Sequence, residues 1–296
     1  MTYQDFVETL TGLINTCATK GLHAELHTSL KNNNISRIGI TISEPEVNIS
    51  PTIYMEEFYQ EFQQGLSITE ILTNVMDIYK EIRFDHSWEL DELRDFSSIK
   101  HKVVYKLIHK KENALLLMDL PFITYQDLAI VFYIILDMED SGSGTILITN
   151  SLLSAWKITI DDLYCAAKIN TPLLLPSKFS TMHSVICKML GTDNIDEDCC
   201  DNHMYVLTNS MSHFGAAVIL YPNVLEEVAM ELHDDFYLLP SSIHELIVLP
   251  RKYSPSTEDI DRMIVEINET QVSPDEILSD HSYYYSRLHK SLFLTH

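Results

Sequence analysis

The chain has 296 residues, is 46% hydrophobic, and carries 43 acidic against 20 basic side chains for a formal charge of −23 at pH 7. That length can bury one large core or two smaller ones, and the charge opposes phosphate backbones and anionic lipid, which weighs against direct nucleic-acid or membrane-surface binding. The five cysteines (Cys17, Cys165, Cys187, Cys199, Cys200) include no CxxC pair, the N-terminal MTYQDFVETL lacks a positive n-region, and no apolar run is long enough for a spanning helix, so the expectation is a cytoplasmic protein without a disulfide framework.

Phe6, Leu10, Leu13, Ile14 and Cys17 recur at helical spacing, with Thr2 as cap and Gly21 as stop. HAELHTSL then alternates, Asn32-Asn33-Asn34 turns the chain and RIGITIS returns, which predicts a β-hairpin. Ser50-Pro51 is expected to open a helix with Tyr54, Phe58 and Phe62 on its apolar face, ending at Gly65. Ser67-Ile68-Thr69-Glu70 is a capping box, starting a helix whose inner side holds Ile68, Ile71, Leu72, Val75, Ile78, Tyr79 and Ile82. Residues 84–113 carry two readings: FDHSWELDELRDF as polar helix or loop, and KVVYKLIHK as strand or helix.

Asp127 to Asn150, DLAIVFYIILDMEDSGSGTILITN, is the strongest strand signal in the chain. Two strands apolar on both faces flank the turn Asp140-Ser141-Gly142-Ser143-Gly144, which predicts a long hairpin at the centre of a sheet. Thr159 caps a helix bearing Ile160, Leu163, Tyr164 and Ala167 that is expected to end near Pro172, and Ser180 starts another with Val185, Ile186, Met189 and Leu190 inward. GTDNIDEDCCDNH reads as an acidic loop, and MYVLTN with FGAAVILY as a second hairpin. Asn223 and Glu226 bracket a helix start, DFYLLP and ELIVLP are short strands, Ser256 and Asp259 open a helix with Ile260, Met263, Ile264 and Ile267, and HSYYYSRLHKSLFLTH closes the chain as a strand pair.

Strands joined mostly by short turns and interspersed with helices predict an α+β fold with a mainly antiparallel mixed sheet built round the 127–149 hairpin. The soft boundary between 84 and 113 divides the chain into 1–110 and 111–296, or leaves it one continuous domain. Several strings, among them ISPTIYMEEFYQEFQQG, the 127–150 hairpin, FYLLPSSIHELIVLP and INETQVSPDEILSDHSYYY, resemble an uncharacterised domain-of-unknown-function family of anaerobic Gram-positive bacteria over nearly the whole chain. LITNSLLSAWKITIDDLYCAAKIN followed by a later LIVLP is similar to another uncharacterised family of cytosolic bacterial proteins. Both resemblances imply a bacterial cytosolic protein, and neither implies an activity or a site residue.

No GxxxxGK[ST], GxGxxG, GxSxG or HExxH pattern occurs, so neither a phosphate cradle nor a zincin site is expected, and no cofactor is. His23, Glu25 and His27 fall on one face of a strand and could offer two imidazoles and a carboxylate to a cation; the plainer reading is the solvent face of a hairpin. A calcium loop from Asp137 fails because Ile148 occupies the closing position. For acid–base work the one compact candidate is Ser241-Ser242-Ile243-His244-Glu245, with Ser242, His244 and Glu245 as catalytic groups. Neighbours on extended chain point to opposite faces, so His244 and Glu245 are not expected to pair directly, and a turn bonding its own backbone is the competing reading. Tyr283, Tyr284, Tyr285 and Phe293 read as an edge strand with alternate rings buried, or as an interaction surface. The leading expectation is a non-catalytic protein–protein interaction module with an unidentified protein partner. The alternatives are a hydrolase-like enzyme using His244 and an acidic nucleic-acid mimic.

Overall fold

The computed structural model describes residues 1–17, 21–48, 50–83, 92–138, 142–191 and 203–295. The chain groups into two compact units: residues 1–31, 35–98 and 136–145 in the first, and 32–34, 99–135 and 146–296 in the second. Its strands pair antiparallel throughout the named ladders, in three sheets, and the fold is α+β. Among the described residues no helix is long and apolar enough to cross a membrane.

The first unit opens with α1 (Tyr3–Cys17), where Thr2 and Asp5 satisfy each other's backbone N–H groups at 3.1 and 3.2 Å. The expected hairpin of β1 (His23–Leu30) and β2 (Ser36–Ser43) follows, and β3 (Thr52–Tyr54) adds to β2. α2 (Glu56–Gln63) and α3 (Ile68–Ile82) complete the layer, α3 carrying the expected Ser67–Glu70 capping box. Phe6, Leu10 and Ile14 of α1, Ile40 and Ile42 of β2, and Ile71 and Val75 of α3 are buried together in the core. Two expectations fail here. Thr52–Tyr54 is strand, not helix: β-branched Thr52 and Ile53 pair with Thr41 and Ile40 of β2. Ile78 stays 37% exposed because the buried face of α3 follows Ile71, Val75 and Tyr79.

After α4 (Phe96–Ile99), the KVVYKLIHK stretch resolves as strand β4 (Val103–His109). β5 (Phe122–Tyr125), β6 (Leu128–Met138) and β7 (Gly142–Leu147) follow, residues 136–145 of the last two being grouped with the first unit. β6 lies between β4 and β5 and also pairs with β7. Leu128 to Ile134 are all buried, as its two-faced apolar pattern implied. The turn residues Asp140 and Ser141 fall outside the described residues. α5 (Asn150–Trp156) and α6 (Ile160–Leu174) follow, the latter with a Thr159–Asp162 capping box. α6 ends at Leu174, near Pro172 as expected, and the Leu175 N–H donates to the Thr171 carbonyl (2.9 Å). A proline in the last turn removes few intrahelical bonds.

The remaining strands form a six-stranded sheet in the order β13-β12-β10-β11-β9-β8. These are β8 (Ser177–Thr181), β9 (Tyr205–Asn209), β10 (Phe236–Leu239), β11 (Leu246–Pro250), β12 (Tyr283–Ser286) and β13 (Ser291–Leu294). The helices are α7 (Met182–Leu190), α8 (Val224–Leu232) and α9 (Thr257–Thr270). Ser180 is therefore a strand residue and Thr181 the cap of α7, while Met189 and Leu190 point outward, 82% and 65% exposed. FGAAVILY is not a returning strand: Gly215–Leu220 is a buried 3₁₀ helix entered through Phe214 at φ 54°, and β9 pairs instead with β8 and β11. Asn223 makes no side-chain cap; it sits at φ 64°. Ser256 does cap α9, accepting from the Asp259 N–H. Tyr283 and Tyr285 are buried on β12, whereas Phe293 on the edge strand is half exposed. The acidic loop of Asp193, Asp196, Glu197, Asp198 and Asp201, with Cys199 and Cys200, lies outside the described residues.

Candidate functional site

The link between β10 and β11 is Pro240 to Glu245, and it is held from below. The Ile243 N–H donates to the Glu276 carbonyl at 2.8 Å, and Ser242 forms an isolated antiparallel bridge with Ile277. The hydroxyl of Ser242 accepts the His244 N–H at 3.0 Å, so it serves the turn, the competing reading for this segment. His244 has both ring nitrogens directed. Nδ1 accepts the Phe214 N–H at 3.2 Å, which leaves the proton of the neutral ring on Nε2, 3.5 Å from Glu276 Oε1. Its acid is thus Glu276 and not the adjacent Glu245, a pairing that only the return of the 273–279 loop creates.

The surroundings fix this histidine and hold it neutral. The Thr208 hydroxyl donates to the His244 carbonyl at 2.7 Å, and the Phe214 ring stacks on the imidazole at 5.6 Å between centroids. Lys106 of β4 sits 3.9 Å from the centroid of the same Phe214 ring. His213 lies 5.1 Å from His244, ring to ring. Burial pulls the His244 pKa below the ordinary histidine range; Glu276 opposes that shift and Lys106 adds to it. Burial, then the electrostatic influence of His244 and Lys106, lowers His213 to about 4. Glu245 is pushed up by burial and by Glu276. A general base must offer a lone pair to its substrate; in this arrangement the Nδ1 lone pair of His244 is engaged by backbone.

The same 273–281 loop forms one wall of a cleft of about 670 Å³ within the second unit, lined also by Asn33, His109, Lys110, Lys111 and Asp127. At its side the Asp127 carboxylate accepts hydrogen bonds from the Ser279 hydroxyl (2.9 Å) and the Tyr283 hydroxyl, both buried. His109 repeats the arrangement of His244: Nδ1 accepts the Glu112 N–H at 3.1 Å, and Nε2 stands 3.8 Å from Asp127 Oδ2. Behind the wall Asn113, fully buried, donates to Asn32 Oδ1 (2.9 Å), Asn33 Oδ1 (3.0 Å) and the His109 carbonyl (2.8 Å), and accepts the Asn33 N–H (2.7 Å). Asn33 in turn donates to the Pro274 and Ile277 carbonyls. The sequence marks Asn32 to Asn34 as a turn, and the signal it offered was the run of asparagines, a residue type that tolerates the left-handed backbone found at Asn33 and Asn34 (φ 58° and 55°).

The first unit holds the other sequence candidates. His23 and Glu25 pair with each other at 2.9 Å on the exposed face of β1, and His27 is exposed on the same strand. Among the described residues no group of three or more His, Cys, Asp or Glu is placed to hold a metal ion. Compared with known families, residues 3–287 match a family of unknown function, DUF5688. No curated protein and no solved structure matches the chain.

Proposed function

The chain belongs to that family of unknown function, and we propose that it is a non-catalytic interaction module that meets another protein along α6, β8 and α7. One observation carries this reading. Ile169 and Leu173 of α6 are 64% and 74% exposed, Met189 and Leu190 of α7 point outward, and between these helices β8 ends its sheet with no second strand partner among the described residues. Fully burying such a side chain is worth roughly 1.5–3 kcal/mol, and an open edge offers N–H and C=O groups to an added strand. Lys168, Lys178 and Lys188 punctuate this run without an ion-pair partner among the described residues, in a chain of charge −23. A partner strand bearing apolar anchors flanked by acids complements that surface.

The hydrolase alternative has less support, because the Ser242 hydroxyl and the His244 Nδ1 both accept backbone N–H groups. The nucleic-acid mimic gains nothing from a face that carries lysines. The test is native mass spectrometry of the protein isolated from its host, for the wild type and for Leu173→Asp and Met189→Asp. A co-purifying polypeptide that both substitutions release supports the proposal. A polypeptide retained by both variants, or none in the wild type, refutes it.

A further inference from the structure

Independently of the surface on α6, β8 and α7, we propose that the cleft beside Asp127 binds a small zwitterion of the peptide class, a ligand with a free α-ammonium and a free α-carboxylate. The charged side chains that line this cleft lack lysine–carboxylate pairing with one another. Asp127 is one-sixth exposed at the cleft, and its carboxylate is fixed by two neutral hydroxyls, those of Ser279 and Tyr283. No Lys or Arg pairs with it among the described residues. Its one basic neighbour, His109 Nε2, stands 3.8 Å away, beyond hydrogen-bond reach. Lys110 and Lys111 line the same cleft on an exposed turn, and neither has an ion-pair partner among the described residues.

A carboxylate that no Lys or Arg pairs with, and two lysines without an ion-pair partner among the described residues, therefore line one cleft. An anion alone is repelled by Asp127, Glu112 and Asp280, which also line it; a cation alone leaves the lysines uncompensated. A ligand carrying both charges satisfies both ends, its ammonium on Asp127 and its carboxylate on Lys110 and Lys111. The volume of about 670 Å³ falls within the roughly 300–1,000 Å³ of small-molecule sites. The carboxylate is pre-organised: Tyr283 is wholly buried, and burial together with Asp127 holds its hydroxyl protonated as a permanent donor.

Isothermal titration of the full chain with trialanine, N-acetyl-trialanine and trialanine amide tests this. Trialanine is expected to bind, and blocking either end to weaken it by roughly tenfold or more, the equivalent of about 1.4 kcal/mol. In Asp127→Asn, acetylation of the ligand should cease to matter. In the double variant Lys110→Ala, Lys111→Ala, amidation should cease to matter. The lysine pair sits on an exposed turn, so that variant keeps its fold even if Asp127→Asn loses stability. No binding of trialanine at millimolar concentration, equal binding of the blocked peptides, or a lysine double variant that still discriminates against the amide would each overturn the proposal.

Discussion

Replacing Gly215 by alanine adds one methyl group at a point where the fold has no room for it. The new Cβ would lie 2.8 Å from the Asn209 backbone nitrogen and closer still to the His244 carbonyl oxygen and the Thr208 hydroxyl. Two of these are backbone atoms of buried or half-buried strand and turn, and the third donates the 2.7 Å bond to the His244 carbonyl. Nothing in that set is the free end of a flexible side chain. Forcing extra volume into such a site costs about 1–3 kcal/mol, and breaking the Thr208–His244 bond adds about 1 kcal/mol. For a unit of this size each kcal/mol lowers the melting temperature by about 2–4 °C, so Gly215→Ala is expected to melt roughly 5–15 °C below the wild type. Gly12 on α1 has nothing within 4 Å of the same added atom, and there alanine should stabilise by about 0.5–1 kcal/mol through backbone entropy. Calorimetry on both variants checks the pair. A Gly215→Ala protein melting with the wild type would show that the packing of the 3₁₀ helix against β9 and the His244 turn is not as close as described.

Asn113→Ala should destabilise by about 2–4 kcal/mol in urea denaturation, because it leaves the Asn33 N–H and the Asn32 amide oxygen without their buried partner; a loss under about 0.5 kcal/mol would count against the buried amide network. The histidines predict a pH dependence. His244 is held below its ordinary value near 6.5, so the unfolded chain takes up a proton that the folded chain refuses. The contribution is complete above that value and is lost as pH falls from about 6.5 toward the lowered folded value. His213, lowered to about 4, acts in the same direction; neighbouring groups crowd its ring while part of the residue still meets solvent, so its share is the smaller. The difference in denaturation midpoint between wild type and His244→Gln should therefore shrink across that acid window; a constant difference would remove His244 from the acid response.

How far the sequence reached is visible element by element. The capping signals of α3 and α6 join a hydroxyl, a carboxylate and two backbone N–H groups, that of α9 a hydroxyl, a carboxylate and one, and all three stand in the structure. The β1–β2 hairpin and the alternate burial of Tyr283–Tyr285 are likewise written in period-two patterns, and the buried run of β6 in a continuous apolar one. Where an apolar run had two allowed conformations, tertiary contacts chose. Thr52–Tyr54 became strand because β2 offered an edge, and Gly215–Leu220 became a 3₁₀ helix because β8 and β11 already occupied the two edges of β9. The candidate site divides in the same way. His244 and Ser242 could be picked out by type and spacing, but the acid facing His244 is Glu276, and the carboxylate of the cleft is Asp127 held by Ser279 and Tyr283. Those partners meet only when the loop after α9 returns beneath the β10–β11 turn. Local sequence determines which backbone hydrogen bonds a segment can make with itself; which distant side chains share a cavity is set by the packing of whole strands and loops, and no short window of residues contains it.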